Sequence, residues 1–156
     1  MRTTLALDDF IPYRLSFTTN LVSDAIATAY EDLFGLKIPE WRLIAVIAEN
    51  PGITQQEIGV RTRMEKITVS RAAIALSERG LIERAPSTTD RRARCLALSA
   101  LGRQLYAEVA PKAVELEAQI FGSFSADELT TFTSMLRRIE AVVLASEADP
   151  ETRRRV

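Results

Sequence analysis

The segment 65–102 leaves this chain few folds to choose from. A helical pattern over 65–79 stops at Gly80, and a run of strand type follows, Leu81-Ile82-Glu83-Arg84. A basic tip comes next, Asp90-Arg91-Arg92-Ala93-Arg94, and the chain returns as Leu96-Ala97-Leu98. A polar-faced helix followed at once by an arginine-tipped hairpin is how a winged helix-turn-helix addresses two grooves of a duplex, the helix in the major groove and the wing in the minor. The expectation is a mainly α chain with a small β-hairpin wing.

The flanks complete the pattern. Apolar residues recur at helical spacing over 8–34 (Phe10, Leu15, Leu21, Val22, Ile26, Tyr30, Leu33, Phe34), and Gly35 closes the run. Pro39 opens a second helix that lasts until Asn50-Pro51-Gly52 breaks it. Thr54-Gln55-Gln56-Glu57 is a capping box, so a short helix starts there and ends near Arg61, two or three residues before Glu65. Short helix, tight turn and second helix make the helix-turn-helix. Ser99 precedes an amphipathic helix to about Phe121, in which Pro111 predicts a kink, and Ser125-Ala126-Asp127-Glu128 caps another carrying Leu129, Phe132, Met135, Leu136, Ile139, Val142 and Val143 on one side. The organisation expected is one domain over 1–156, with a winged helix-turn-helix lobe at 39–98 and long flanking helices over 8–34 and 99–147. Their apolar faces exceed what so small a lobe can cover, which predicts packing against a second copy, a homodimer.

Charge and composition narrow the function. Net charge is −1, but residues 54–103 hold ten Lys/Arg against five Asp/Glu, whereas the rest holds ten against sixteen. A basic segment inside an acidic chain fits an electrostatic footprint on phosphate, and double-stranded DNA is the expected partner. No histidine and a single cysteine leave no Ser-His-Asp or Cys-His constellation and few metal spacings, so neither an enzyme nor a bound cofactor or metal is expected. The amino end lacks a signal peptide's apolar core, and the run Leu43-Ile44-Ala45-Val46-Ile47-Ala48 is too short to span a bilayer, so a cytoplasmic protein without membrane contact is expected.

On a 3.6-residue wheel Val69, Ala72, Ala73 and Leu76 fall together as the buried face of the recognition helix, opposite Ile67, Ser70, Arg71 and Ile74. Lys66, Thr68 and Ser70 are placed for phosphates or base edges, and Arg71 for a guanine or a phosphate. Two roles are open to Ile67: contact with a thymine methyl, or packing on the preceding helix. At the wing, Asp90 and Arg92 share one side of an extended tip, so the carboxylate can brace one guanidinium while Arg91, Arg92 or Arg94 enters the minor groove.

The order Thr68-Val69-Ser70-Arg71, Leu76, Arg79-Gly80-Leu81-Ile82, Asp90-Arg91-Arg92, Leu98-Ser99 and Gly102 resembles the MarR family of bacterial winged-helix transcription regulators, whose wing carries Asp-x-Arg followed by Leu-Thr/Ser and a nearby Gly. The resemblance covers nearly the whole chain, the flanking helices falling where that family places its dimerisation helices. It implies a homodimeric, usually repressing regulator that binds a pseudo-palindrome and releases it when a small, often phenolic or aromatic, molecule binds between the dimerisation helices and the DNA-binding lobe. By the same resemblance the segments around Tyr13, Arg14 and Ser16 and around Trp41 and Arg42 lie near each other and form an effector site. They look like those of regulators of hydroxycinnamate catabolism, some of which answer to the coenzyme A thioester, so an aromatic acid or an aromatic acyl-CoA is the effector class expected. The other reading of these residues is structural, with Trp41 in the core and both arginines paired to carboxylates. Cys95 lies in the wing's return strand, away from the amino end of helix one where peroxide-sensing members carry their thiol, and is read as structural. An activator of the same fold, or a winged-helix association module without an operator, are the alternative functions.

Overall fold

The computed structural model describes residues 4–87 and 94–148 of the chain. It is mostly helical with a small antiparallel sheet, as expected, and it divides into two compact units, Met1–Val114 and Glu115–Val156.

The first unit opens with a 3-10 turn, Leu7–Asp9, and then α1, Ile11–Phe34. The helix starts three residues later than its apolar pattern suggests, because Phe10 is extended and Pro12 occupies the first turn, where its missing N–H costs nothing. Gly35 ends it in the left-handed region, φ 60°, with its N–H donated to the Glu31 carbonyl at 2.9 Å. α2 (Ile38–Glu49) follows, its entry fixed by the Glu40 carboxylate, which accepts from the Lys37 N–H at 2.9 Å.

α3 (Gln55–Thr62) is capped as its sequence predicts. The Thr54 N–H donates to Glu57 Oε2 at 2.8 Å, and the Glu57 N–H donates back to Thr54 Oγ1 at 3.3 Å. The Thr54 N–H and the Thr54 hydroxyl, which also donates to Glu57 Oε2 at 2.9 Å, with Arg61 close by, hold the Glu57 carboxyl below its usual range. The turn into α4 (Lys66–Glu78) passes through Arg63 at φ 57°, a left-handed residue that no glycine announces. Thr62 steadies it, donating to the Ile58 carbonyl at 2.7 Å and accepting from the Met64 N–H at 3.3 Å.

Strands β2 (Ile82–Pro86) and β3 (Arg94–Leu98) pair antiparallel as the wing's stem, Ile82 opposite Leu98 and Pro86 opposite Arg94. A third strand, β1 (Ile53–Thr54), pairs on the other side of β3, Ile53 opposite Leu96. The sequence reading lacks it because two residues merged with a capping box leave no alternation to read.

The Leu98-Ser99 and Gly102 motif is the joint where the chain leaves the sheet for α5 (Ala100–Phe121). Ser99 Oγ donates to the Gly80 carbonyl at 2.6 Å and accepts from the Gly102 N–H at 2.9 Å, while the Ser99 N–H donates to the Leu81 carbonyl at 3.0 Å. A Cβ on Gly102 would collide with the Leu81 carbonyl oxygen, so glycine alone permits this approach. The core gathers Leu36, Leu43, Ile44, Ile47, Ile58, Val69, Leu76, Leu96 and Val109, each fully buried. At about 1.5–3 kcal/mol for each large aliphatic taken out of water, this one cluster is the lobe's main source of stability.

The second unit contains the end of α5 and α6 (Ala126–Ala148). Ser125 and Glu128 form the expected capping box, at 2.7 and 3.2 Å. Pro111 lies inside α5, which continues past it as one element. No helix among the described residues is long and apolar enough to cross a membrane.

Candidate nucleic-acid interface

The four residues placed on the inner face of α4, Val69, Ala72, Ala73 and Leu76, are its buried residues. They hold the helix against α2 and α3 and turn the other face outward. Lys66, Ile67, Arg71 and Ile74 are exposed there, with Thr68 and Ser70 half-buried between them. Ile67 is 63% exposed, so it is not buried against the preceding helix. An outward aliphatic chain beside a lysine and an arginine is costly on a solvated helix and useful against a base edge carrying a methyl group. Val60, in α3, is 74% exposed, an outward apolar residue that the short helix's sequence does not single out.

Arg94 opens β3 and is exposed. Asp90, Arg91 and Arg92 lie outside the described residues. Cys95 is half-buried on the central strand, opposite Ala85 on one side and Thr54 on the other.

The effector residues fall into two separate groups. Near the start of α1, Tyr13 and Phe17 approach at 6.1 Å between ring centroids, the Arg14 guanidinium lies 5.4 Å from the Phe17 centroid, and Ser16 is exposed. Trp41 belongs elsewhere. It meets Tyr30 near the end of α1 at 5.5 Å and stacks with Tyr106 of α5 at 5.9 Å and 19°. Seventeen residues of α1 separate Tyr13 from Tyr30, about 25 Å at 1.5 Å per residue. The two segments that the family resemblance brings together are therefore not neighbours within one chain; a continuous helix holds them apart. Arg42 is exposed beside Trp41 in sequence.

Trp41 is half-buried at the centre of a three-helix aromatic cluster; the sequence shows Tyr30 only as one apolar position of α1 and does not single out Tyr106, because the three meet only through tertiary packing. Tyr30 is the buried one, and desolvation pushes its phenol above the usual tyrosine range.

The chain is similar to known transcription regulators. Residues 34–93, α2 to the wing, match the MarR family model. A putative transcriptional regulatory protein for the hcr operon of Thauera aromatica is 30% identical over 97 residues, 62% of this chain and 58% of that protein, so the chain spans less than two thirds of that relative. The homoprotocatechuate degradative operon repressor of Escherichia coli is 22% identical over 110 residues, 70% of this chain and 74% of that protein. The crystal structure of a MarR/EmrR family transcriptional regulator from Acinetobacter sp. ADP1 superposes with a TM-score of 0.82 at 26% identity, covering 89% of this chain and 98% of that one.

Proposed function

We propose that this chain, whose residues 34–93 match the MarR family model, is a DNA-binding winged-helix transcription regulator that works as a homodimeric repressor, released from a pseudo-palindromic operator by a small aromatic acid or its coenzyme A thioester. The observation that carries the DNA contact is the two-sided recognition helix, four residues buried on one face and Lys66, Ile67 and Arg71 exposed on the other. Arg71 takes a base edge or a phosphate, Ile67 a thymine methyl, and Lys66, Thr68 and Ser70 position the helix. Arg94, with Asp90, Arg91 and Arg92 by sequence, forms the minor-groove wing.

Dimerisation is supported by apolar residues without cover: Ile11, Phe17 and Leu21 on α1, and Phe132, Met135, Ile139, Val142 and Val143 on α6. The effector class is supported by the cluster of Tyr30, Trp41 and Tyr106, an aromatic wall with the Arg42 cation next in sequence, and by the relative that represses a homoprotocatechuate degradative operon.

A salt-dependent gel shift on the protein's own upstream region tests the reading, followed by release with aromatic acids and, separately, their coenzyme A thioesters. Specific retention with a steep salt dependence is expected. No shift on any duplex would leave an association module as the function, and increased transcription on adding protein would identify an activator.

A further inference from the structure

The carboxyl ends of α1 and of the recognition helix are tied together by one side chain. Arg79 caps α4, and its guanidinium reaches back 44 and 45 residues to the end of α1, donating from Nη1 to the Gly35 carbonyl at 3.0 Å and from Nη2 to the Phe34 carbonyl at 3.2 Å. Those are the last carbonyls of a 24-residue helix, unsatisfied by the helix itself and at the negative end of its dipole. A planar fork that takes two adjacent carbonyls fixes direction as well as distance. The Gly35 cap, in the left-handed region, presents both carbonyls to it.

We propose that Arg79 is a positioning residue for DNA recognition: through Phe34 and Gly35 it locks the recognition helix to the end of α1, so that a tilt of α1 changes the presentation of Ile67 and Arg71. This rests on the DNA-binding reading above. Arg79 follows the last turn of α4, while the base-reading candidates occupy the first two, so its contribution reaches DNA through the helix and not by contact.

The probe is a duplex selected from a random-sequence pool by the wild-type protein, with an unrelated duplex of equal length as control. Arg79→Gln should weaken binding to the selected duplex about tenfold, the equivalent of one charge-assisted hydrogen bond, and leave the control duplex and the salt dependence unchanged. Arg79→Lys, which keeps the charge but not the fork, should fall between. Gly35→Ala strains the cap without a clash, since nothing lies within 4 Å of the added Cβ, and should give a loss of the same kind. In the double variant the losses should not add. Equal loss on both duplexes, with the salt slope reduced by about 0.9 for each phosphate contact removed, would make Arg79 a phosphate ligand and overturn the proposal. Unchanged affinity with a lower melting temperature would also overturn it, leaving only a helix cap. If Arg79→Gln does not fold, Arg79→Lys and Gly35→Ala supply the same comparison. A wild-type protein that selects no duplex would instead refute the DNA-binding reading itself.

Discussion

The recognition helix α4 and the last helix α6 are both amphipathic, yet α4 buries four side chains in 13 residues and α6 buries none in 23. The inner stripe of α4 meets α2 and α3 inside the lobe's core, so the polar face that remains is free to work. On α6, Phe132, Met135, Ile139, Val142 and Val143 stay exposed. The contrast separates two outcomes of one sequence pattern: an apolar stripe that finishes a core within the chain, and an apolar stripe that stays exposed and is therefore a surface for association.

The largest expected effect sharpens that division. Leu76→Ala removes a fully buried side chain of α4 and should cost about 2–5 kcal/mol in chemical denaturation of the lobe. An equivalent truncation on α6, Ile139→Ala, should leave the lobe's own unfolding nearly unchanged; an equal loss would erase the distinction between the two stripes. Next comes Ile139→Asp, which places a charge in the uncovered stripe of α6 and should convert the assembled protein to monomers in gel filtration while circular dichroism keeps its helical signal. Retained assembly would move the interface elsewhere.

How much of this was legible in the sequence differs between the two regions. The buried face of α4 could be read from spacing alone, because four apolar residues at i, i+3, i+4 and i+7 admit one inward direction. Both capping boxes were legible because they are local hydrogen-bond chemistry within four residues. Tertiary encounters were not: Tyr30 and Tyr106 around Trp41, or Arg79 on the Phe34 and Gly35 carbonyls, join residues far apart in the chain. The separation of Tyr13 from Trp41 within one chain was hidden for the same reason. Which turns of α1 face α2 is decided by packing along its whole length.

A smaller effect tests the outer face of α4. Arg71→Ala should cost about 1–3 kcal/mol of specific affinity and relax one base step if its guanidinium reads a guanine. An equal loss on operator and random duplex in titrations would make it a phosphate contact.

The smallest effect concerns Tyr30. Its phenol is raised by burial, so the folded state keeps it neutral where the unfolded chain ionises. The resulting stability is fully present below the unfolded value of about 10 and is lost as pH rises through the folded one. Melting temperature should therefore fall on the alkaline side in the parent and fall less in Tyr30→Phe. Identical profiles would remove burial of the hydroxyl as the cause.

The central claim is that the uncovered stripes are closed by a second copy, which places two recognition helices about one helical turn apart on a duplex. Sedimentation velocity of the purified chain at micromolar concentration tests it most directly. The account predicts one species at twice the 17.3 kDa chain mass; a stable, folded monomer would contradict it.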